Sequence, residues 1–146
     1  MSAPTDTADG YTLLERFPDR DDYRRLRVAT GLSAKSADAA ERGLRNTLFG
    51  VSVLHHGDVI GMGRIIGDGG CFFLVVDIAV EPAHQKRGLG KRIMDALDAW
   101  LRAHAPASAS VSLFADGDAR HLYARYGFVE TGPFSVGMDY TMRERV

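Results

Sequence analysis

From Val76 to Arg92 the chain reads VDIAVEPAHQKRGLGKR, and this stretch restricts the possible folds more than any other. An apolar run, Cys71 to Val80, predicts a central strand buried on both faces. It leaves through Pro82, and Gln85-Lys86-Arg87-Gly88-Leu89-Gly90 then opens a helix-period segment, Leu89 to His104. Ile93, Met94, Leu97, Trp100 and Leu101 share one face of that segment, with Lys91, Arg92, Asp95, Asp98 and Arg102 mainly on the other. Pro106 ends it. A strand that enters a helix through glycines can bring several backbone amides and the positive helix end close to a ligand. Lys86, Arg87, Lys91 and Arg92 add positive charge, so the segment suits a pyrophosphate. A glycine-rich cap on an ordinary amphipathic helix is the alternative, since a short glycine pattern alone is weak evidence.

Other phosphate motifs fail on inspection. Gly90-Lys91 is followed by Arg92 rather than Ser or Thr, and the upstream glycine spacing does not make a P-loop. Gly61, Gly63 and Gly67 miss the dinucleotide fingerprint by one place and lie inside a strand pattern, which predicts close packing or a bulge. The 146 residues suit one domain, and 45% hydrophobic with 25% charged residues is a soluble globular balance. A net charge of -1 argues against nucleic-acid or membrane-surface partners. Cys71 is the single cysteine, so neither an intramolecular disulfide nor a thiol metal site can form, and no metal is expected. Residues 1–10 are polar and acidic, unlike a signal peptide, and read as a flexible tail before one domain over 11–146. With no apolar stretch of membrane-spanning length, a cytoplasmic location is expected.

Along the rest of the chain, Tyr11 to Glu15 reads as a strand. Asp19 to Thr30 reads as a helix packing through Tyr23, Leu26 and Val28, and Gly31 stops it. Ser36 to Leu44 reads as a second helix, capped by Ser36 or Asp38. Leu48 to Ile66 predicts two strands joined at His56-Gly57-Asp58. Val111 to Phe114 reads as a strand, Asp118 to Tyr126 as a short helix, and Phe128 to Tyr140 as one or two closing strands. The fold class is α+β, a mixed, largely antiparallel sheet flanked by helices with a central strand–loop–helix site. A parallel strand pair at its middle requires a right-handed crossover.

Gln85-Lys86-Arg87-Gly88-Leu89-Gly90 resembles the Q/R-x-x-G-x-G/A signature of the GNAT superfamily of acyl-CoA N-acyltransferases. Asp77 to Pro82 before it, the helix after it, and Tyr123-Ala124-Arg125-Tyr126-Gly127-Phe128, similar to the family's Y-x-x-x-G-F block, agree in order and spacing. The resemblance implies a GNAT-like fold that moves an acetyl group from acetyl-CoA, as co-substrate, to a primary amine. A small-molecule amine is the expected acceptor. A protein lysine or N-terminus, or a non-catalytic acyl-CoA-binding module, are the alternatives, and a homodimer is compatible with the pattern.

By the same resemblance, Ile78, Ala79 and Val80 hold the pantetheine arm through their backbone, where their strand and the next splay apart. Gln85, Lys86, Arg87, Gly88, Leu89, Gly90 and Lys91 form the cofactor loop. Ile78 is the candidate donor to the thioester oxygen. Tyr123 is the catalytic candidate for protonating the departing thiolate, against a packing role on its helix face. Asp77, an acid in an apolar strand, is the candidate base, against a structural carboxylate. Water can also carry that proton. Glu81 is a weaker candidate, and His55, His56, His84 and His121 match no catalytic position. Asp116 stands where the family often has Asn. The amine pocket is expected from Tyr23, Leu32, Phe49, Phe134 and Met138, with Arg24, Arg25 and Arg27 nearby.

Overall fold

Antiparallel pairing builds most of the sheet, and short-range turn chemistry sets the corners of its hairpins. The computed structural model describes residues 5–6 and 9–143. Strands β1 (Thr5–Asp6), β2 (Tyr11–Leu14), β3 (Phe49–His55), β4 (Asp58–Gly67), β5 (Phe72–Val80) and β6 (Ser110–Ser112) form one sheet in chain order. All neighbours are antiparallel except β5 and β6. Thr5–Asp6 falls within the expected tail but pairs with Leu13 and Thr12, the chain being turned back at Gly10 with φ 85°. Residues 1–4 and 7–8 of that tail lie outside the described residues. His56 and Gly57, at φ 50° and 86°, close the β3–β4 corner. Asp68 closes the next one by accepting the N–H groups of Gly70, Cys71 and Phe72 at 2.8, 2.8 and 3.0 Å. Those bonds, Phe72's first, hold its carboxyl below the usual range.

Helices α1 (Arg20–Ala29) and α2 (Ala37–Leu44) are capped by Asp19 and Ser36, which accept the N–H groups of Asp22 and Ala39 at 2.9 and 3.0 Å. Tyr23, Leu26 and Ala40 bury with Met62 of β4 and Ala79 of β5. Val28 does not join them: it is 62% exposed, while Arg27 is buried in the helix position beside it. Helix α3 (Leu89–His104) buries Leu89, Ile93, Met94, Leu97 and Leu101. Neighbouring strand residues face opposite ways, so Met62 under α1 puts Gly63 under α3. The sheet is therefore covered by α1 and α2 on one face and by α3 on the other.

Two expectations need correction. Strand β5 is not buried on both faces: Phe73, Val75 and Ala79 are buried, Phe72 is 66% exposed, and the residues between are half-buried. Its edge beyond residue 74 carries no paired strand among the described residues, which opens one flank. The closing strands over 128–140 are also not formed in the described residues. Phe134, Val136, Met138 and Tyr140 keep the period-2 alternation of a strand, but alternation supplies only propensity, and strand identity needs a paired edge. Gly132, Pro133 and Gly137 interrupt the run, and the apolar side chains in it are exposed. The chain divides into two compact units, residues 1–113 and 114–146, and the second holds α4 (Ala119–Ala124). Within that unit Gly137 packs against the Phe114 ring, and Arg120 pairs with Glu130 at 3.5 Å.

Gly63 offers a sharp test of this packing. A Cβ there would lie 2.6 Å from Ile93 Cγ2 and 3.3 Å from Leu97 Cδ1, both fully buried side chains. Gly63→Val should lower unfolding stability by about 1–3 kcal/mol in urea titration. Gly43→Ala, in helix α2 with nothing within 4 Å, should instead raise it by about 0.4–1 kcal/mol.

Candidate active site

Strand β5 carries two irregularities that the apolar run conceals. Arg64 pairs with Val76 and Met62 with Ala79, so Asp77 and Ile78 together face the single residue Gly63. That is a β-bulge. Asp77 sits in it at φ 59°, a left-handed conformation that costs a non-glycine residue roughly 1–2 kcal/mol. On the other side, β5 pairs in parallel with β6 only from Phe72 to Leu74. Among the described residues no strand pairs with the edge from Val75 to Val80, and β6 spans Ser110–Ser112 rather than Val111 to Phe114.

The Asp77 side chain is held from two elements. Arg27 Nη1 of α1 donates to its Oδ1 at 2.5 Å, Tyr23 Oη donates to the same oxygen at 3.3 Å, and Arg64 Nε of β4 donates to Oδ2 at 2.7 Å. The carboxylate is 4% exposed, and both arginine side chains are 10% exposed. Arg27 is braced by Ser33, through the carbonyl at 2.6 Å and the hydroxyl at 3.0 Å, and Arg64 by the Thr47 hydroxyl at 3.0 Å. The Arg64 guanidinium also lies 5.5 Å from the Phe17 ring and 5.7 Å from Tyr23. Burial, then the Asp77 charge, pushes the Tyr23 phenol above its ordinary value. The carboxylate's partners are thus two guanidiniums and a phenol rather than backbone amides.

Beyond Val80 the chain turns through Pro82–His84 into the loop before α3. Lys86 and Gly88 have φ of 63° and 77°, which folds the backbone back on itself. Helix α3 has no side-chain cap at Gly88, so its first turn presents backbone N–H groups. Gln85 Nε2 donates to the Val80 carbonyl at 3.0 Å, tying the loop to the strand. Residues 85–88 are exposed, whereas Leu89 is buried and anchors the helix. The Lys91 ammonium lies 3.0 Å from Asp95 on its own helix, so its charge is shared there. An open strand edge followed by such a loop fits an extended ligand that ends in phosphates.

Beside the end of β5 lies a polar cleft of about 330 Å³, lined by Asp22, Arg25, His55, Asp58, Glu81 and His84 among others. Arg25 is ion-paired with Glu81 and with Asp22. His84 Nδ1 is 2.7 Å from Tyr11 Oη, and its ring is 4.8 Å from that of His55. Phe49, expected in the amine pocket, stacks instead on Trp100 of α3 at 5.5 Å, on the face away from α1. Tyr123, Phe134 and Met138 belong to the second unit. There Tyr123 meets the Phe128 ring edge-on at 6.4 Å, and burial followed by the Asp116 charge pushes its phenol up. Among the described residues, no three His, Cys, Asp or Glu side chains converge as metal donors. None of the described helices is long and apolar enough to cross a membrane.

Arg64 was not singled out for this site by its sequence position, and Arg27 was expected only near the amine pocket, not on Asp77. Arg64 did leave a signal, a lone cation inside the apolar strand Val59 to Ile66, and Arg27 lies one turn after Tyr23.

Comparison with known proteins agrees with this geometry. A family model described as an acetyltransferase (GNAT) domain matches residues 45–130. A protein of unknown function from meticillin-resistant Staphylococcus aureus, described as a probable acetyltransferase, is 40% identical. Its structure covers 90% of this chain and 99% of its own, with a TM-score of 0.86. A GNAT-family acetyltransferase from Streptococcus pneumoniae TIGR4 is 24% identical, with 92% and 99% covered and a TM-score of 0.71. Glucosamine-6-phosphate N-acetyltransferase from Arabidopsis thaliana is 14% identical, with 90% and 99% covered and a TM-score of 0.65. At such identities the last two show the fold alone. A search of curated proteins finds no match. The family-model match spans more than half of the chain and the Staphylococcus aureus relative aligns over nearly all of it, so this chain belongs to the GNAT acetyltransferase family.

Proposed function

We propose that this chain is an acetyl-CoA-dependent N-acetyltransferase acting on the primary amine of a small molecule. The observation that carries the reading is the bulged strand edge of β5 running into the Gln85–Lys91 loop. In this reading the backbone of Ile78, Ala79 and Val80 holds the pantetheine arm as an added strand. The amides at Lys86 to Gly90 and the start of α3 receive the pyrophosphate, with Gln85 holding the loop to Val80. The cleft beside β5 is of small-molecule size, and Asp22, Asp58 and Glu81 in its wall favour an ammonium ion over an anion.

The reaction forms a C–N bond and breaks a C–S bond. The neutral amine attacks the thioester carbonyl carbon, and the Ile78 N–H stabilises the oxyanion that develops. As the C–S bond breaks, Tyr123 donates its phenolic proton to the sulfur, and the proton that the attacking nitrogen sheds on forming the C–N bond returns through water to the phenolate. Burial keeps that phenol protonated at neutral pH, as a donor requires. The proton of the incoming ammonium leaves through water, because three donors occupy the Asp77 carboxylate. A thiol-release assay with acetyl-CoA against small amines and against peptides tests the acceptor class. Turnover confined to peptides would replace the small-molecule reading with a protein acceptor.

Two variants test the roles. Gly88→Asp puts a carboxylate against the expected pyrophosphate in open space and should weaken acetyl-CoA binding at least tenfold, about 1.4 kcal/mol by calorimetry. Tyr123→Phe keeps the ring and should lower kcat by about 10²–10⁴-fold with little change in the acetyl-CoA KM. Tyr126→Phe is the control, expected to be mild, since Tyr126 lies past the end of α4, in the turn before Gly127.

A further inference from the structure

We infer that Arg27, Arg64 and Tyr23 are positioning residues, which clamp the Asp77 carboxylate so that the bulge holds the Ile78 amide in its working direction. The inference rests on the reading of Ile78 as the oxyanion donor. The peptide plane between Asp77 and Ile78 carries that N–H, and the backbone of Asp77 orients it. Asp77 is at φ 59°, where a side chain is strained and the plane is turned relative to regular strand. Left unrestrained, a strand residue relaxes to extended backbone, which would cancel the bulge and shift the register of Ala79 and Val80.

The clamp opposes that relaxation. It grips one carboxylate from α1 on one side and from β4 on the other, with contacts at 2.5, 3.3 and 2.7 Å. The guanidiniums are themselves fixed by Ser33 and Thr47 and by the Phe17 and Tyr23 rings. The strained residue is thus tied to two elements that do not depend on the cofactor loop. Asp77 acts through its backbone, and its side chain is an anchor rather than a base.

The test separates the backbone of residue 77 from its carboxylate. Asp77→Gly and Asp77→Ala both delete the acid, but only glycine adopts positive φ without cost. The clamp predicts that Asp77→Gly retains a kcat roughly tenfold above that of Asp77→Ala, with acetyl-CoA affinity within about threefold of each other by calorimetry. Asp77→Asn, which keeps the shape and tolerates this backbone region, should stay within about tenfold of wild type, with an unshifted pH–kcat profile. Arg64→Gln should lower kcat more than acetyl-CoA affinity, and Arg64→Lys should recover part of the loss. Equal activity of the glycine and alanine variants overturns the clamp. So does a hundredfold or greater loss in Asp77→Asn with the acidic limb of the profile gone, the signature of a missing base. If the two deletions do not fold, Asp77→Asn and the Arg64 pair still decide between the outcomes. A wild-type protein that neither binds acetyl-CoA nor releases thiol would overturn the underlying acetyltransfer reading instead, and the clamp with it.

Discussion

The structure depends on a register mismatch of one residue, Asp77 and Ile78 opposite Gly63. Gly63 permits it from below: the methyl groups of Ile93 and Leu97 occupy the space a side chain would need. Helix α3 therefore lies close against β4 at the residue that faces the bulge. Because α3 starts at the Gln85–Gly88 loop, its seat on Gly63 also places that loop relative to the end of β5. One glycine couples the strand irregularity to the loop that opens α3.

Electrostatics supports the same point from the opposite face. A carboxylate buried among apolar strands would be costly alone, and two guanidiniums over one carboxylate leave a net positive cluster. Aromatic faces from Phe17 and Tyr23 and acceptors from Ser33 and Thr47 share that charge, and no buried side-chain polar atom among the described residues lacks a partner. Removing one partner of such a cluster typically costs about 3–5 kcal/mol, so specificity of geometry is its better-founded role. The pairs Arg42–Asp38, Lys91–Asp95 and Arg102–Asp98 are exposed and four residues apart, and contribute little beyond helix support.

Much of the molecule was legible in the order of residues because its signals are local. The Leu89–His104 helix agrees residue for residue with its apolar period, and the Ser36 and Asp19 caps and the His56–Gly57 corner follow from side chains within a few positions. The exposed glycine-containing loop before α3 was legible too, since Gly88 and Gly90 sit in one run with basic residues. Val28 and Arg27 were not. Helix period alone could not say that an arginine would turn inward, because its partner, Asp77, lies 50 residues away. Phe49 was placed in the amine pocket by the family resemblance, and its ring stacks on Trp100 of α3.

By itself the sequence determined most of the elements before residue 113 and the family, each written in contiguous residues with short-range physics. Tertiary structure alone decided the bulge and the meeting of two guanidiniums on the Asp77 carboxylate. Register is a relation between strands, and a carboxylate's role depends on which cations reach it in space. The alternating run from Phe134 to Tyr140 shows the same division. Its pattern is that of a strand, but alternation names no partner, and only a paired edge turns propensity into a sheet.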